Sequence, residues 1–220
     1  MFTIAFLAQK GGVGKSTLVR SLAVQAHLAG VQSGIVDADP QATTAGWYLR
    51  RRERAKAENP PVAAAADPKL LRQAVEDARD DGFDWLFLDT PAGVSELPAT
   101  AAALADLILI PCTPSVDDMD AMGPTVKLVK SSGKPSFFVV NKGRSKGIND
   151  ECAVALASAY GLPAARTHIS TRLPIVDAGP AGLVLAELDS DKRDASTTKG
   201  KEEFRALWQW LTKTMENSHG

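Results

Sequence analysis

The sequence has few residues that could bind a soft metal or crosslink a small fold. It contains two cysteines, Cys112 and Cys152, far apart and outside any Cys-x-x-Cys pattern, and three scattered histidines. Disulfide frameworks and zinc sites need closely spaced cysteines or histidines. The composition therefore argues against both and favours reduced thiols.

The sequence also lacks a long hydrophobic run and an excess of charge of one sign. The longest apolar stretch, 101–111, is interrupted by Asp106 and is too short to span a bilayer. The apolar N-terminus has no basic segment, so we expect no signal peptide. Because 25 Lys+Arg oppose 26 Asp+Glu, binding to DNA or a membrane would require a local basic patch.

The remaining composition is that of a globular protein, with 45% hydrophobic and 23% charged residues in 220. This length favours a single domain covering residues 1–220. Short, continuously apolar runs predict strands at 2–8, 34–37, 85–88, 107–110 and 137–140. Helical patterns fall at 15–29, 43–57, 68–80, 116–129, 152–160 and 204–215. This alternation predicts an α/β fold, with helices on both faces of a mostly parallel, twisted sheet.

Two details refine that prediction. Asp67-Pro68 is a helix start, with aspartate as the N-cap and proline at the first helical position. Gly123-Pro124 should kink or split the helix at 116–129. The segment 59–66, with its Pro-Pro pair and alanines, is interpreted as a loop.

A glycine-rich segment, Lys10-Gly11-Gly12-Val13-Gly14-Lys15-Ser16-Thr17, lies between the first strand and the first helix. Glycines let successive backbone N–H groups turn toward phosphate oxygens, and the helix N-terminus favours anions. In such a loop Lys15 reaches the β- and γ-phosphates, Ser16 offers its hydroxyl to Mg²⁺, and Thr17 can reach the α-phosphate. The segment is thus predicted to bind a nucleoside triphosphate.

The loop departs from the strict Walker pattern, because Gln9 replaces a glycine and Lys10 precedes the double glycine. In this it resembles the deviant Walker A motif of the ParA/MinD family of P-loop ATPases. Four later segments are similar to further motifs of that family: Val36-Asp37-Ala38-Asp39-Pro40-Gln41, Phe87-Leu88-Asp89-Thr90-Pro91-Ala92-Gly93, Ile110-Pro111-Cys112-Thr113-Pro114-Ser115 and Val140-Asn141-Lys142. The resemblance extends over essentially the whole chain.

The resemblance implies ATP and Mg²⁺ as cofactors and a homodimer that forms when ATP is bound. Lys10 would reach across to the partner's nucleotide, Asp39 would position the attacking water, and Lys15 would complete the catalytic set. Ser16, Asp37 and Asp89 would hold the metal, Asp89 through water. Asn141 would read the adenine edge. The nucleotide would lie against Lys10, Gly11, Gly12, Val13, Gly14, Lys15, Ser16, Thr17 and Asn141.

Among the jobs of this family, the chain resembles the short ParA-type partition ATPases, because no helix-turn-helix domain is expected before Lys10. These imply nonspecific DNA binding by the ATP dimer, and release after hydrolysis stimulated by a centromere-binding adaptor. Such a protein would be cytoplasmic and nucleoid-associated, and no membrane is expected. The candidate DNA-binding residues are Arg172, Lys199, Lys201 and Arg205.

Two alternatives remain open. One is a MinD-like ATPase that positions a protein or membrane-associated cargo, for which the C-terminal apolar stripe of Phe204, Leu207, Trp208, Leu211 and Met215 could be an anchor. The sequence pattern favours a helix docked on the domain instead. The other is a relative that spaces protein clusters along the nucleoid through the same DNA binding. The basic run 50–54 is interpreted as a solvated helix face.

Overall fold

Within the described residues, six strands form a parallel sheet in the order β3-β2-β4-β1-β5-β6, as predicted for the fold class. The computed structural model describes residues 1–144, 146–189 and 194–218. The strands are β1 (Phe2–Phe6), β2 (Ser33–Asp37), β3 (Val62–Ala64), β4 (Trp85–Asp89), β5 (Leu107–Cys112) and β6 (Ser136–Val140).

Helices connect successive strands and cover both faces of the sheet. They are α1 (Lys15–Leu28), α2 (Thr43–Arg50), α3 (Pro68–Asp80), α4 (Glu96–Leu104), α5 (Val116–Asp120), α6 (Gly123–Ser132), α7 (Lys146–Tyr160), α8 (Leu173–Ala178) and α9 (Ala195–Ser218). A π-helical turn, Arg51–Ala55, follows α2, and 3-10 turns lie at Gly179–Ala181 and Leu185–Glu187.

The alternation of side chains along the strands divides the core between the two faces. Ile4 and Phe6 of β1 belong to a cluster that contains residues of α1 and α9. Ala5 on the same strand belongs to a second cluster, with residues of α3, α4, α6 and α7. Because both faces are buried, the strands read as continuous apolar runs rather than alternating ones.

Local signals in the sequence explain several boundaries. The Asp67 carboxylate accepts hydrogen bonds from Lys69 N and Leu70 N, each at 2.9 Å, and caps α3 as predicted. The predicted break at Gly123-Pro124 separates α5 from α6. Two predictions were wrong in detail. The segment 59–66 contains β3, and the helix expected over 43–57 ends at Arg50 and continues as the π-helical turn.

The last helix is docked on the domain. The apolar stripe that could have formed a membrane anchor is at most 6% exposed and packs against α1 and the sheet. Within the described residues, no helix is both long and apolar enough to cross a membrane.

Candidate functional site

The glycine-rich loop turns sharply between β1 and α1, at the carboxyl edge of the sheet. Gly12 and Gly14 have positive φ angles of 80° and 93°, which favour glycine over residues with a side chain. Gly14 precedes the first residue of α1, so the loop leads directly into a helix N-terminus. This is the geometry by which backbone N–H groups and the helix dipole attract a phosphate.

The end of β6 braces this loop from the side. Asn141 Nδ2 donates to Val13 O at 2.7 Å, and Lys142 Nζ donates to Gly12 O at 2.5 Å. A Cβ atom on Gly14 would lie 2.2 Å from Asn141 Nδ2, so only glycine fits there. Asn141 is predicted to read adenine; one hydrogen of its amide nitrogen is donated to the loop, which leaves the second N–H and the side-chain oxygen for that role.

Two carboxylates end neighbouring strands beside the loop. Asp37 of β2 and Asp89 of β4 are in register, and they are 2% and 0% exposed. Thr44 Oγ1 donates to Asp89 Oδ2 at 2.7 Å. Both oxygens of Asp37 accept backbone hydrogen bonds, from Ala45 N at 2.8 Å and Asp39 N at 3.1 Å.

Burial raises the pKa of Asp89 to about 6, although the hydrogen bond from Thr44 and the nearby Ser16 hydroxyl oppose the shift. Burial also raises the pKa of Asp37, while the backbone hydrogen bonds lower it. A bound cation would stabilise the ionised form of these two buried carboxylates beside the phosphate loop.

These residues fit a magnesium ion. Asp89 Oδ1 is buried and has no hydrogen-bond partner among the described residues, and the Ser16 hydroxyl lies close enough to lower the Asp89 pKa. Hard oxygen donors of this kind suit Mg²⁺, which usually keeps several of its own waters. Asp37 is already committed to backbone N–H groups, so its contribution to such a site would be through charge rather than a free oxygen.

The buried lysine of the loop completes the charge arrangement. Lys15 is 7% exposed and forms no ion pair within 4.0 Å in the described part of the chain. Burial lowers its pKa, while the charges of Asp89 and Asp39 raise it. Lys15 therefore places a buried positive charge at the cavity, as its predicted contact with phosphate oxygens requires.

Asp39 lies at the rim of a cavity of about 600 Å³ that opens over the loop. Its Oδ1 accepts a hydrogen bond from Gln41 N at 2.9 Å, which fixes the turn after β2. Gly93, in the predicted switch segment, donates its N–H to Ala8 O at 3.0 Å and has a φ angle of 93°. Gly93 is therefore anchored to the segment that follows β1, whereas the turn that carries Asp39 is fixed by a hydrogen bond of its own.

Lys10 does not line this cavity. Its Nζ donates to Asp117 O at 2.7 Å and lies 3.1 Å from Asp118 Oδ1, so it is held by the start of α5. Hydrogen bonds from Thr113 and Lys10 lower the pKa of Asp118, outweighing the burial that would raise it. The two lysines of the loop thus have different environments: Lys15 faces the cavity and Lys10 lies outside it.

The four predicted DNA-binding residues are not gathered on one surface. Lys199 borders a groove with Arg166 and His168, whereas Lys201 and Arg205 border another groove beside the C-terminal end of α1. Arg172 is engaged elsewhere, because its Nη2 donates to Glu203 Oε1 at 2.6 Å. Lys201 donates to Leu188 O. Of these four residues, Lys199 and Arg205, both on α9, are exposed.

Sequence reasoning missed two residues of the site, one that binds Asp89 and one that lines the cavity. Thr44 was not singled out, although its hydroxyl binds Asp89, because the two lie 45 positions apart in sequence. Arg20 was also missed, although a signal existed. It follows Thr17 by three positions, which places both on one face of α1, and both line the cavity.

The parallel sheet, the phosphate loop after β1 and the acids that end β2 and β4 define a P-loop ATPase of the ParA/MinD family. A family model described as VirC1 protein matches residues 1–131. The chain belongs to the VirC1 family.

Individual relatives agree with this assignment. The chain is 34% identical over 134 residues to protein virC1 of Rhizobium rhizogenes, a match that covers 59% of this chain and 56% of that protein. The chain thus matches only about half the length of this relative. It is 26% identical over 203 residues to maintenance of carboxysome distribution protein A of Halothiobacillus neapolitanus, covering 89% of this chain and 91% of that protein.

Among solved structures, the cell division protein MinD of Aquifex aeolicus superposes with a TM-score of 0.77 at 18% identity. The superposition covers 97% of this chain and 98% of that chain. At this identity the likeness concerns the fold.

Proposed function

We propose that this chain is a single-domain, Mg²⁺-dependent partition ATPase that dimerises with ATP and then binds DNA without sequence preference. Hydrolysis, stimulated by a centromere-binding adaptor, releases it from DNA. The observation that carries the proposal is the different placement of the two lysines of the phosphate loop: Lys15 faces the cavity and Lys10 lies outside it.

Lys15 would neutralise the β- and γ-phosphates of its own nucleotide. Ser16 and Asp89 would hold the ion, which supplies charge neutralisation of the phosphates when bound. Asp39 would orient water at the open side of the cavity. Phosphoryl transfer depends mainly on positioning and electrostatics, and these are the contributions that we expect from this set of groups.

Lys10 would act across the dimer. Two nucleotides facing each other repel, and a lysine from each protomer offsets that repulsion. One opposite charge at about 4 Å contributes about 4 kcal/mol at an effective dielectric of about 20. Because Lys10 does not reach its own cavity, this energy becomes available only when a second protomer approaches, which couples dimerisation to the triphosphate state.

DNA binding would use the exposed cations of α9. Lys199 and Arg205 project from this helix, with Lys201 between them in sequence. A dimer doubles the number of such cations, which explains why DNA affinity should depend on ATP. Arg172 would contribute indirectly, because its guanidinium binds Glu203 and thereby fixes the loop before α8 against α9.

The test is binding to nonspecific duplex DNA with ATP, with ADP and without nucleotide, across a series of salt concentrations. We expect binding with ATP that weakens steeply as salt rises, with log K falling by about 0.9 per phosphate neutralised for each unit of log salt. The double variant Lys199→Gln/Arg205→Gln should reduce that slope. A matched control replaces Lys69 and Arg79, exposed cations of α3 on the opposite face of the sheet, with glutamine.

Loss of DNA binding in Lys15→Ala and Lys10→Gln, with retained folding, would support the order of events: nucleotide, dimer, DNA. An ATP dimer of the wild-type chain that binds no DNA at any salt concentration would refute the proposal.

A second candidate function shares the ATPase cycle but carries a protein assembly instead of DNA. It is favoured by the likeness to the carboxysome distribution protein, which extends over 89% of this chain. Both candidate functions predict that the ATP-bound dimer binds DNA without sequence preference. They differ in the adaptor, because only the first predicts stimulation by a protein that binds a centromere sequence.

A further inference from the structure

Arg20 is a cation at the wall of the nucleotide cavity whose hydrogen-bonding capacity is mostly unused. Its Nε donates to Ser16 O at 2.9 Å, and its Nη2 lies 3.5 Å from Thr17 Oγ1. In the described part of the chain, Nη1 donates no hydrogen bond and no carboxylate forms an ion pair with this arginine.

Arg51 shows what a buried arginine of this chain does when the protein itself satisfies it. Both guanidinium groups pack over Trp47, at 5.7 Å for Arg20 and 5.2 Å for Arg51. Arg51 also binds both oxygens of Glu187, at 2.7 and 2.8 Å, and two backbone carbonyls. Arg20 has the same aromatic support but no such anion.

Burial lowers the pKa of Arg20, and the charge of Arg50 adds to the effect, while Asp89 and Asp37 oppose it. A guanidinium removed from water is costly unless its donors are paired. Arg20 is therefore a half-buried cation with free donors at the edge of a cavity, where an anionic ligand would satisfy them.

The position of Arg20 along α1 indicates which part of the nucleotide its guanidinium would contact. Arg20 contacts Thr17, the loop residue predicted to reach the α-phosphate, and not Lys15, which is predicted to reach the β- and γ-phosphates. We propose that Arg20 binds a nonbridging oxygen of the α-phosphate of the nucleotide, beside Thr17. This inference rests on the proposed nucleotide binding and adds a residue to it.

The contact would be made equally with ATP and ADP, since both carry an α-phosphate. Arg20 would therefore strengthen retention of nucleotide through the whole cycle without distinguishing the two states, a role separate from that of Lys10. Arginine suits this position because its planar guanidinium can hold the Ser16 carbonyl and a phosphate oxygen at the same time.

The experiment compares Arg20→Met with the wild-type chain in binding ATP, ADP and adenosine, by competition against a fluorescent nucleotide. Methionine keeps an apolar stem over Trp47 and removes the charge. We expect the affinity for ATP and for ADP to fall about 10- to 100-fold, as for loss of a charge-assisted hydrogen bond. Adenosine, which has no phosphate, should bind equally to both proteins.

A second arm locates the contact on one atom. The Sp and Rp diastereomers of ATPαS place sulfur at one or the other nonbridging position of the α-phosphate. If Arg20 binds one of these oxygens, the wild-type chain will discriminate between the diastereomers more strongly than Arg20→Met does. The two proteins and the two diastereomers form a double-mutant cycle, and its coupling energy measures the contact. Arg20→Lys, which keeps the charge, should recover part of the affinity and serves if the methionine variant does not fold.

The control is Arg79→Met on α3, which should change none of these affinities. An equal loss for adenosine, or discrimination between diastereomers that is unchanged in Arg20→Met, would overturn the inference and leave Arg20 a structural residue. A wild-type chain that binds no nucleotide would instead overturn the proposed function, so the two failures are distinguishable.

Discussion

Replacement of Asp89 by asparagine should stabilise the nucleotide-free and metal-free protein at neutral pH. The Asp89 carboxyl is fully buried, one of its oxygens has no partner in the described part of the chain, and burial raises its pKa from 3.8 to about 6. An ionised Asp89 therefore opposes folding when no cation is bound. Asparagine has nearly the same shape and no charge.

The size of the effect follows from the pKa shift. A shift from 3.8 to about 6 costs about 3 kcal/mol of unfolding free energy when the group is fully ionised. In the wild type, the stability that goes with a protonated Asp89 is fully present below pH 3.8. It is lost as the pH rises through about 6, where the buried carboxyl ionises. Between pH 7.5 and pH 4.5, the advantage of the variant should fall by about 2 kcal/mol.

Two effects reduce the absolute gain but leave this pH dependence intact. Lys15 loses the attraction of Asp89, and the new amide group lacks a partner for its hydrogens. Both costs are nearly constant over this pH range, and Asp37 titrates in both proteins. The decisive quantity is therefore the change with pH in the difference between the unfolding free energies of Asp89→Asn and the wild type.

The assay is urea unfolding followed by tryptophan fluorescence at pH 7.5, 6.0 and 4.5, with EDTA and without nucleotide. Asp80→Asn, at an exposed position of α3, is the matched control and should show no such trend. Added Mg²⁺ and ATP should stabilise the wild type more than Asp89→Asn. If the difference in unfolding free energy between Asp89→Asn and wild type changes by less than about 0.5 kcal/mol between pH 7.5 and pH 4.5, the reasoning is refuted.

Three further outcomes are expected. Asp118→Asn should remove the ion pair of Lys10 while its hydrogen bond to Asp117 O remains. Because an ion pair of this exposure contributes about 0.2–1 kcal/mol in each protomer, the ATP-dependent dimerisation constant should rise about 2- to 30-fold in sedimentation equilibrium; an unchanged constant would contradict this. Glu187→Gln should leave Arg51 buried without its carboxylate and lower the unfolding free energy by about 3–5 kcal/mol, measured in urea; a loss below about 1 kcal/mol would show that the pair is not structurally important. Asp39→Ala should slow ATP turnover while the ATP dimer persists, and normal turnover would exclude it from positioning water.

The sequence predicted those parts of the site that depend on local chain geometry. The phosphate loop needs only consecutive residues, and Asp37 and Asp89 were found because each directly follows a buried apolar run. The start of α3 was predictable because the Asp67 cap acts within three residues.

What the sequence did not predict depends on contacts between distant segments. Arg51 lies in a basic run interpreted as solvated, yet it is 2% exposed and binds Glu187. This pairing was not predicted because Glu187 lies 136 positions away in sequence. The interaction of Lys10 with the start of α5 spans 107 positions. The short strand β3 is hidden in an alanine-rich segment, because pairing with β2 rather than propensity holds it in the sheet.

The brace that Asn141 and Lys142 provide has a consequence for how nucleotide enters. Because side chains from the end of β6 hold the carbonyls of Gly12 and Val13, the loop has its shape before any ligand arrives. Ordering a flexible backbone costs about 1–2 kcal/mol per residue, and here that entropy is lost during folding and not during binding. Nucleotide should therefore associate in one kinetic phase that loop closure does not slow, and the lifetime of the bound state will be set by dissociation.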